Sequence, residues 1–461
     1  MTELVDSRNP TRATRPAASP DILLFPGDPG WDDARRAWNL AVDQRPAAVA
    51  LPQTVDDIVA VVEHGRLVGL EVAVQSTGHG AGASLHGTVL VNTSRMTGVA
   101  IDPAARVARV AAGAVWADVV DAAVEHGLTA LHGSAADVGV VGYTLGGGIG
   151  WLARKHGLSS SSVLSAEVVT ADGEVVRADR ETNPDLFWAL RGGGGGFGVV
   201  TEIEIALYPV SEVYAGWLVW PIDRADEVLS AWAAWTRDVP DEVTSVGRLL
   251  QIPPIPELPE PLRGRQLVVV EAAYLGDAGR GRDLLRPLRD LGPELDTFAT
   301  VPARALTELH RDPPGPVPGR GDGCMLDGLD EDTVRRLVSA AAMDGTSPLL
   351  SLEVRHLGGA LGSPDPNGGV LSHFEAPYVV YAVGVAMSPE STSAIDERIA
   401  SVRSELAPWL SQRAYLNFAE RRVDPSAFYP DGSYERLAEI RADVDPDGLF
   451  RAKHTIRATG D

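Results

Sequence analysis

Three glycine-rich loops constrain this chain most: GHGAG at 78–82, GGGIG at 146–150 and GGGGGFG at 192–198. Glycine has no Cβ, so such loops let backbone approach a ligand closely and adopt positive φ. Successive backbone N–H groups can then cradle a pyrophosphate. One such loop alone reads as well as a tight turn. Three of them between residues 78 and 198 point to a bound phosphorylated cofactor.

The commonest glycine fingerprint does not account for them. Gly193, Gly195 and Gly198 fit G-x-G-x-x-G by letter, but VVTEIEIALYPV follows, which alternates like a strand. A dinucleotide pyrophosphate site needs a helix N-terminus at that point. Lysine occurs only at Lys155 and Lys453, and neither sits in a G-x-x-x-x-G-K-[ST] run, so a P-loop is excluded. G-x-S-x-G, H-E-x-x-H and C-x-x-C are all missing.

The chain has 461 residues, which predicts two domains of roughly 200 residues each. With 44% hydrophobic and 22% charged residues, it has a globular composition. Net charge is 40 − 63 = −23, which argues against a nucleic-acid partner. Apolar runs are too short for a membrane span. Cys324 is the only cysteine, so internal disulfides and cysteine-rich metal sites are excluded and no metal is expected. Residues 1–20 lack an apolar core and read as a flexible tail, with a cytoplasmic protein expected.

Periodicity gives the coarse order. Residues 53–69 have helical spacing with Val55, Ile58, Val59 and Val62 on one face, closed by Gly65 and Gly69. Residues 71–75, TVLVNTS and 107–112 read as strands, and 115–126 as a helix. Residues 165–178 read as a hairpin around ADGE, and 199–207 alternate cleanly. Proline-rich loops follow at 251–262 and 311–320. Strands are expected at 266–274, 348–355 and 378–387, and helices at 225–236, 331–342 and 393–406. The last 45 residues read as a return to the first domain.

Longer blocks carry a resemblance. VAVQSTGHGAGAS, VGVVGYTLGGGIGWLARKHGLSSSSVLSAEVVTADGE, NPDLFWALRGGGGGFGVVTEIEIALYPV and AYLNFAE together resemble the berberine-bridge-enzyme-like branch of the FAD-linked oxidases, the vanillyl-alcohol-oxidase or PCMH type of flavoprotein. The similarity runs over nearly the whole chain. It is nearest to bacterial secondary-metabolite enzymes with a singly attached flavin. The implied fold class is α+β. A two-lobed FAD-binding domain would span 21–210 and 416–461, and a substrate domain, 211–415, would carry a large antiparallel sheet covered by helices.

The resemblance also implies roles. His79 falls where the family bonds the flavin 8α-methyl, which raises the flavin potential. Ser76, Thr77, Gly78, Gly80 and Ser84 would surround that link, with Gln75, Ser76 and Thr77 departing from the usual residues. Ala135 stands where many members carry a second flavin-bonding cysteine, so one covalent bond is expected. Val138 stands where a small residue accompanies dioxygen use. Gly139, Gly142, Gly146, Gly147, Gly148, Gly198 and Val200 complete the implied cofactor contacts. Tyr143 replaces a common histidine near the ring, as a ring contact or as packing.

Tyr415 and Asn417 match the family's Y-x-N element. Tyr415 is a candidate base or a substrate-orienting group, and a phenol must be lowered from about 10 to act as base. Asn417 would bind the flavin pyrimidine. Ser351, Glu353 and Arg355 alternate onto one strand face. If that face meets the flavin, Glu353 is a base or an electrostatic anchor held ionised by Arg355; otherwise it is a solvated surface pair. His356, His373 and Tyr378 are weaker candidates. In DPDGLFRAKHTI, Phe450, Arg451 and Ile456 fit the family, while Lys453 and Thr455 replace asparagines.

Four functions follow in order. The first is an FAD-dependent oxidase of a small organic substrate, passing electrons to molecular oxygen. The second is a same-fold dehydrogenase, and the third a redox-silent flavin cyclase. The fourth is a binding protein that has lost flavin, which retained His79 and the three loops oppose. Aromatic polyketide-like metabolites, sugars and alkaloid-like amines all fit as substrates.

Overall fold

The structure, a computed structural model, describes residues 20–82, 85–256 and 260–457. The tail up to residue 19 and the cofactor candidate Ser84 lie outside the described residues. The architecture is α+β, and the described strands form three sheets. No helix among the described residues is long and apolar enough to cross a membrane.

The first sheet orders Leu23–Leu24, Ala48–Ala50, Thr88–Asn92, Glu71–Gln75 and Phe450–Arg451. Its inner pairs are parallel, and the last of these strands returns from the C-terminus. Helix Val55–Val68 covers it, buried through Ile58, Val61 and Val62. Thr54 and Asp57 form a capping box, and Gly69 ends the helix in the left-handed region. Gly65 does not mark the helix end. It sits inside, because a Cβ there would meet Val72 at 2.9 Å.

The second sheet is antiparallel: Val99–Asp102, Val107–Ala111, Val199–Ala206, Val163–Val169 and Val175–Ala178. The third sheet is antiparallel throughout and has eight strands. Helices Ala225–Trp235, Ala278–Arg289, Glu331–Ala341 and Pro389–Glu405 bury one of its faces. Leu249, Leu352, Val354, Val380 and Ala382 point into that core.

Period-two alternation sends their neighbours to the opposite face. Arg248 pairs across with Glu353, Glu353 with Tyr381, and Tyr381 with Gly323. Charged and aromatic side chains therefore line the face turned toward the glycine loops. Residues 319–320, expected in a loop, already belong to strand Gly319–Leu326, which also holds the buried Cys324.

Candidate active site

The first glycine loop leaves strand Glu71–Gln75 through Gly78, whose φ is +84°. A Cβ at Gly78 would meet the Ala37 backbone at 2.8 Å, so the residue must be bare. Among the described residues the N–H groups of His79 and Gly80 donate no hydrogen bond, and a Cβ at Gly80 would meet open space. Gly139 comes down on this loop, with Ser76 Oγ 2.8 Å from where its Cβ would be and Thr77 Oγ1 at 3.8 Å. Ser76, Thr77, His79, Val138 and Gly139 are thus brought together, with Ala135 on the adjoining segment.

The other two loops use their glycines differently. Gly147 N–H donates to Thr144, and Gly148 N–H to the Tyr415 hydroxyl at 3.1 Å. A Cβ on Gly146 would run into Asn417 Oδ1, and one on Gly148 would meet the Tyr143 ring at 2.5 Å. In the third loop Gly193 and Gly194 donate to Ala189 and Leu145. Gly198 is pressed against Val168, and Val200 is buried in the core of the second lobe. The first loop is not alone in keeping amides open, because the N–H groups of Gly195 and Gly196 in the third also donate no hydrogen bond among the described residues. The second loop and Gly192, Gly193 and Gly198 are close-packed, a distinction that glycine count alone does not carry.

The second loop and the 415–418 turn meet over the third sheet. Tyr415 Oη accepts from Gly148 N and from Asn417 Nδ2, both at 3.1 Å. Asn417 Nδ2 also reaches the Tyr143 carbonyl at 3.0 Å. Phe374 and Phe418 stand edge-on to the Tyr415 ring at 5.3 and 5.1 Å. The Arg355 guanidinium lies 5.1 Å over Phe418, and Tyr381 is 4.8 Å from the same ring. Burial pushes the Tyr415 phenol up to about 12, against the lowering effect of Asn417, Arg355 and the loop amides.

Glu353 is 3% exposed, which removes the solvated-surface alternative. Its Oε1 accepts from Arg355 Nε at 2.8 Å, and its Oε2 lies 2.7 Å from His310 Nε2. His310 Nδ1 in turn lies 2.5 Å from Glu271 Oε2, and Arg248 Nη1 donates to Glu271 Oε1 at 3.1 Å. Burial and Arg248 oppose a charge on His310, but Glu271, Glu353 and Asp312 outweigh them and push it up to about 9. Burial likewise opposes charge on Glu353, yet Arg355 and His310 hold it far below the usual carboxylate range. Asp312 accepts from Ser134 Oγ at 2.9 Å, which ties this network to the segment carrying Ala135 and Val138.

Some candidates fall elsewhere. His356 and Tyr378 sit on the helix side of the sheet, bound to Arg154 and Thr236. Burial beside Arg154 pushes His356 down to about 3. His373 contacts Ser372 in a loop. An open cleft of about 520 Å³ lies apart from the first loop, lined by Arg320, Asp396, Arg403 and Glu420. It touches the aromatic cluster through Glu420, which accepts from Tyr381 at 3.4 Å, and through Gly321, which lies against the Tyr381 ring.

The residues present fit FAD. The Tyr143 hydroxyl, His132 Nε2 and Trp116 Nε1 are buried without partners among the described residues, and each such orphan is costly unless something else satisfies it. The open amides of the first loop suit an anion. Ser76, Thr77, Gly78, His79, Gly80, Gly139, Tyr143 and Asn417 are the residues that would hold FAD. Sequence reasoning missed His310, Arg248, Glu271, Trp38 and Asp137. Glu271 did leave a signal, as the lone charge in QLVVVEAAY.

Residues 46–179 match the family described as FAD binding domain, and residues 414–457 that described as Berberine and berberine like. The chain is similar to the (R)-6-hydroxynicotine oxidase of Paenarthrobacter nicotinovorans, 36% identical over 201 residues, 43% of this chain and 44% of that protein. It is similar to the glucooligosaccharide oxidase of Sarocladium strictum, 36% identical over 221 residues, 47% of this chain and 44% of that protein. These alignments span about half the length of the two curated relatives. The fold matches that of 6-hydroxy-D-nicotine oxidase from Arthrobacter nicotinovorans, with TM-score 0.84 and 24% identity, covering 96% of this chain and 99% of that one.

Proposed function

We propose that the chain is a berberine-bridge-like FAD-linked oxidoreductase, an oxidase of a small organic molecule in secondary metabolism, with one covalent flavin bond at His79 and dioxygen as electron acceptor, a reading that the two family matches support. FAD supplies a two-electron acceptor for hydride from a C–OH, C–H or C–N carbon of the substrate. The accompanying proton falls to this chain. Residues 21–210 and 416–461 serve the cofactor, and 211–415 the substrate.

The observation that carries the reading is the Tyr415 oxygen, held by two N–H donors where the second glycine loop meets the third sheet. Tyr415 and Glu353 are the two groups able to take a proton there. To accept one, Glu353 must give up its charge beside Arg355 and His310, far from any working pH. Burial pushes the Tyr415 phenol up to about 12, the wrong direction for a base at neutral pH, so the role rests on geometry: its two N–H donors both favour the phenolate. On that geometry Tyr415 is the base of this reading, and Glu353 is the anion that fixes the Arg355 guanidinium. Valine at 138, half-buried beside the second core, supports dioxygen as the acceptor.

The purified protein is expected to be yellow and to release hydrogen peroxide with a member of a panel of amines, alcohols and sugars. Stopped-flow reoxidation is expected to outrun that of free flavin. A protein that stays colourless after reconstitution with FAD overturns the reading. Reoxidation no faster than free flavin's turns it to a dehydrogenase.

A further inference from the structure

Three segments far apart in sequence meet at the first glycine loop. The His79 imidazole lies flat on Trp38, with ring centroids 3.8 Å apart and planes 20° apart. The Trp38 indole N–H donates to Asp137 Oδ2 at 2.6 Å. The other oxygen, Asp137 Oδ1, stands 3.2 Å from His79 Nε2. Trp38 is itself pinned to the loop, its backbone N–H donating to the Thr77 carbonyl at 2.8 Å.

The two ring nitrogens of His79 differ. Nε2 is buried and faces the carboxylate without the alignment of a full hydrogen bond. Nδ1 makes no hydrogen bond among the described residues and is not sealed off. A carboxylate at one nitrogen favours the proton there, which leaves the lone pair on the other. A nucleophile, a base within reach and a third group that orients the base make up the arrangement of an activated nucleophile. Such contacts are often poorly aligned before the reactants are in place.

We infer that Asp137, oriented by the Trp38 indole, is the positioning residue that makes His79 Nδ1 the nucleophile for covalent attachment of the flavin. The inference rests on the proposed His79 link and deepens it. The Nδ1 lone pair forms the bond to the flavin 8α carbon, which gives up one C–H proton. The Nε2 proton is taken up by Asp137, and the electron pair enters the ring, leaving the flavin reduced by two electrons. Dioxygen takes those two electrons and the two released protons and leaves as hydrogen peroxide. During the attack the imidazole gains positive charge, which the Asp137 carboxylate and the face of the Trp38 ring both stabilise.

The test follows covalent attachment itself. Full-length protein made free of flavin is mixed with FAD in air, and the added mass on denatured chain is followed with time. Asp137→Asn keeps the shape and an acceptor for Trp38, but no negative charge. It is expected to bind FAD within about twofold of wild type and to attach it slower by on the order of 100-fold. Asp137→Glu, which keeps the charge, is expected to attach flavin faster than Asp137→Asn, a recovery that a merely structural role does not produce. Trp38→Phe keeps a stacked ring and frees the carboxylate. It is expected to slow attachment several-fold, and it serves alone if Asp137→Asn does not fold. Attachment by Asp137→Asn at the wild-type rate, an Asp137→Glu rate no higher than that of Asp137→Asn, or an unchanged rate in Trp38→Phe overturns the inference and leaves the His79 link standing. Wild-type protein that gains no mass, or His79→Ala that does, overturns the link instead.

Discussion

Tyr415 shows how much a single side chain settles here. Tyr415→Phe keeps the edge-on contacts to Phe374 and Phe418 and removes only the oxygen held by Gly148 and Asn417. Flavin reduction by substrate is expected to slow by about 10² to 10⁴-fold with flavin content unchanged, as read in anaerobic stopped flow. A loss under about twofold removes Tyr415 as the base. Tyr143 offers a test with two signs. Its buried hydroxyl has no partner among the described residues, so Tyr143→Phe should stabilise flavin-free protein by about 1–3 kcal/mol in thermal unfolding. If that hydroxyl serves the cofactor, the same variant should hold FAD less tightly. Flavin-free protein made less stable by the change argues instead for packing alone. At this scale the motifs single out His79, Tyr415 and Asn417, and the structure brings the last two into hydrogen-bond contact. The sequence was silent on Trp38, Asp137 and His310, which act only through partners dozens to hundreds of residues away.

Several elements were legible because one face is wet. The strand Val199–Ala206 and helix Glu331–Ala341 alternate or repeat because one side meets solvent. Strands Glu212–Pro221 and Val243–Gln251 are buried on both faces, so they show no period to read. Strand Gly319–Leu326 looks like a loop, with three glycines, because Tyr381 and Phe418 press against Gly321 and Gly323. Helix Ala278–Arg289 carries Pro287 and two glycines, and tertiary packing overrides its poor propensity. The glycine loops divide by the same reasoning. Gly148→Ala would put a Cβ 2.5 Å from the Tyr143 ring at φ +81°, so a loss of several kcal/mol in chemical denaturation is expected. Gly80→Ala meets open space and should change stability by less than about 0.5 kcal/mol. Equal costs at the two positions would mean that the second loop is as open as the first.

The largest unit to consider is the buried charge chain that joins the third sheet to the cofactor side. Arg248, Glu271, His310, Glu353 and Arg355 run along it, and Asp312 links it to Ser134 across the junction. A buried pair does little for net stability while complete, but losing one member leaves the others uncompensated. The folded value for His310, about 9, lies above the 6.5 of the free group. Its contribution is therefore complete below about 6.5 and is lost as pH rises through 9, a swing of about 3 kcal/mol. Glu353 works in the opposite sense. Its folded value is depressed, so its contribution is complete above the usual glutamate range and fails as pH falls. Net charge of −23 adds self-repulsion at high pH, which salt screens. Thermal midpoints measured from pH 6 to 10 in high salt isolate the His310 contribution. Wild type is expected to lose stability most steeply near pH 9. His310→Gln should begin several kcal/mol lower at pH 6 and show no such fall, because no proton is left to lose. If the two curves run parallel, the imidazole is neutral in the folded protein. Glu353 would then be free to take a proton, and the case for Tyr415 over Glu353 as the base would reverse.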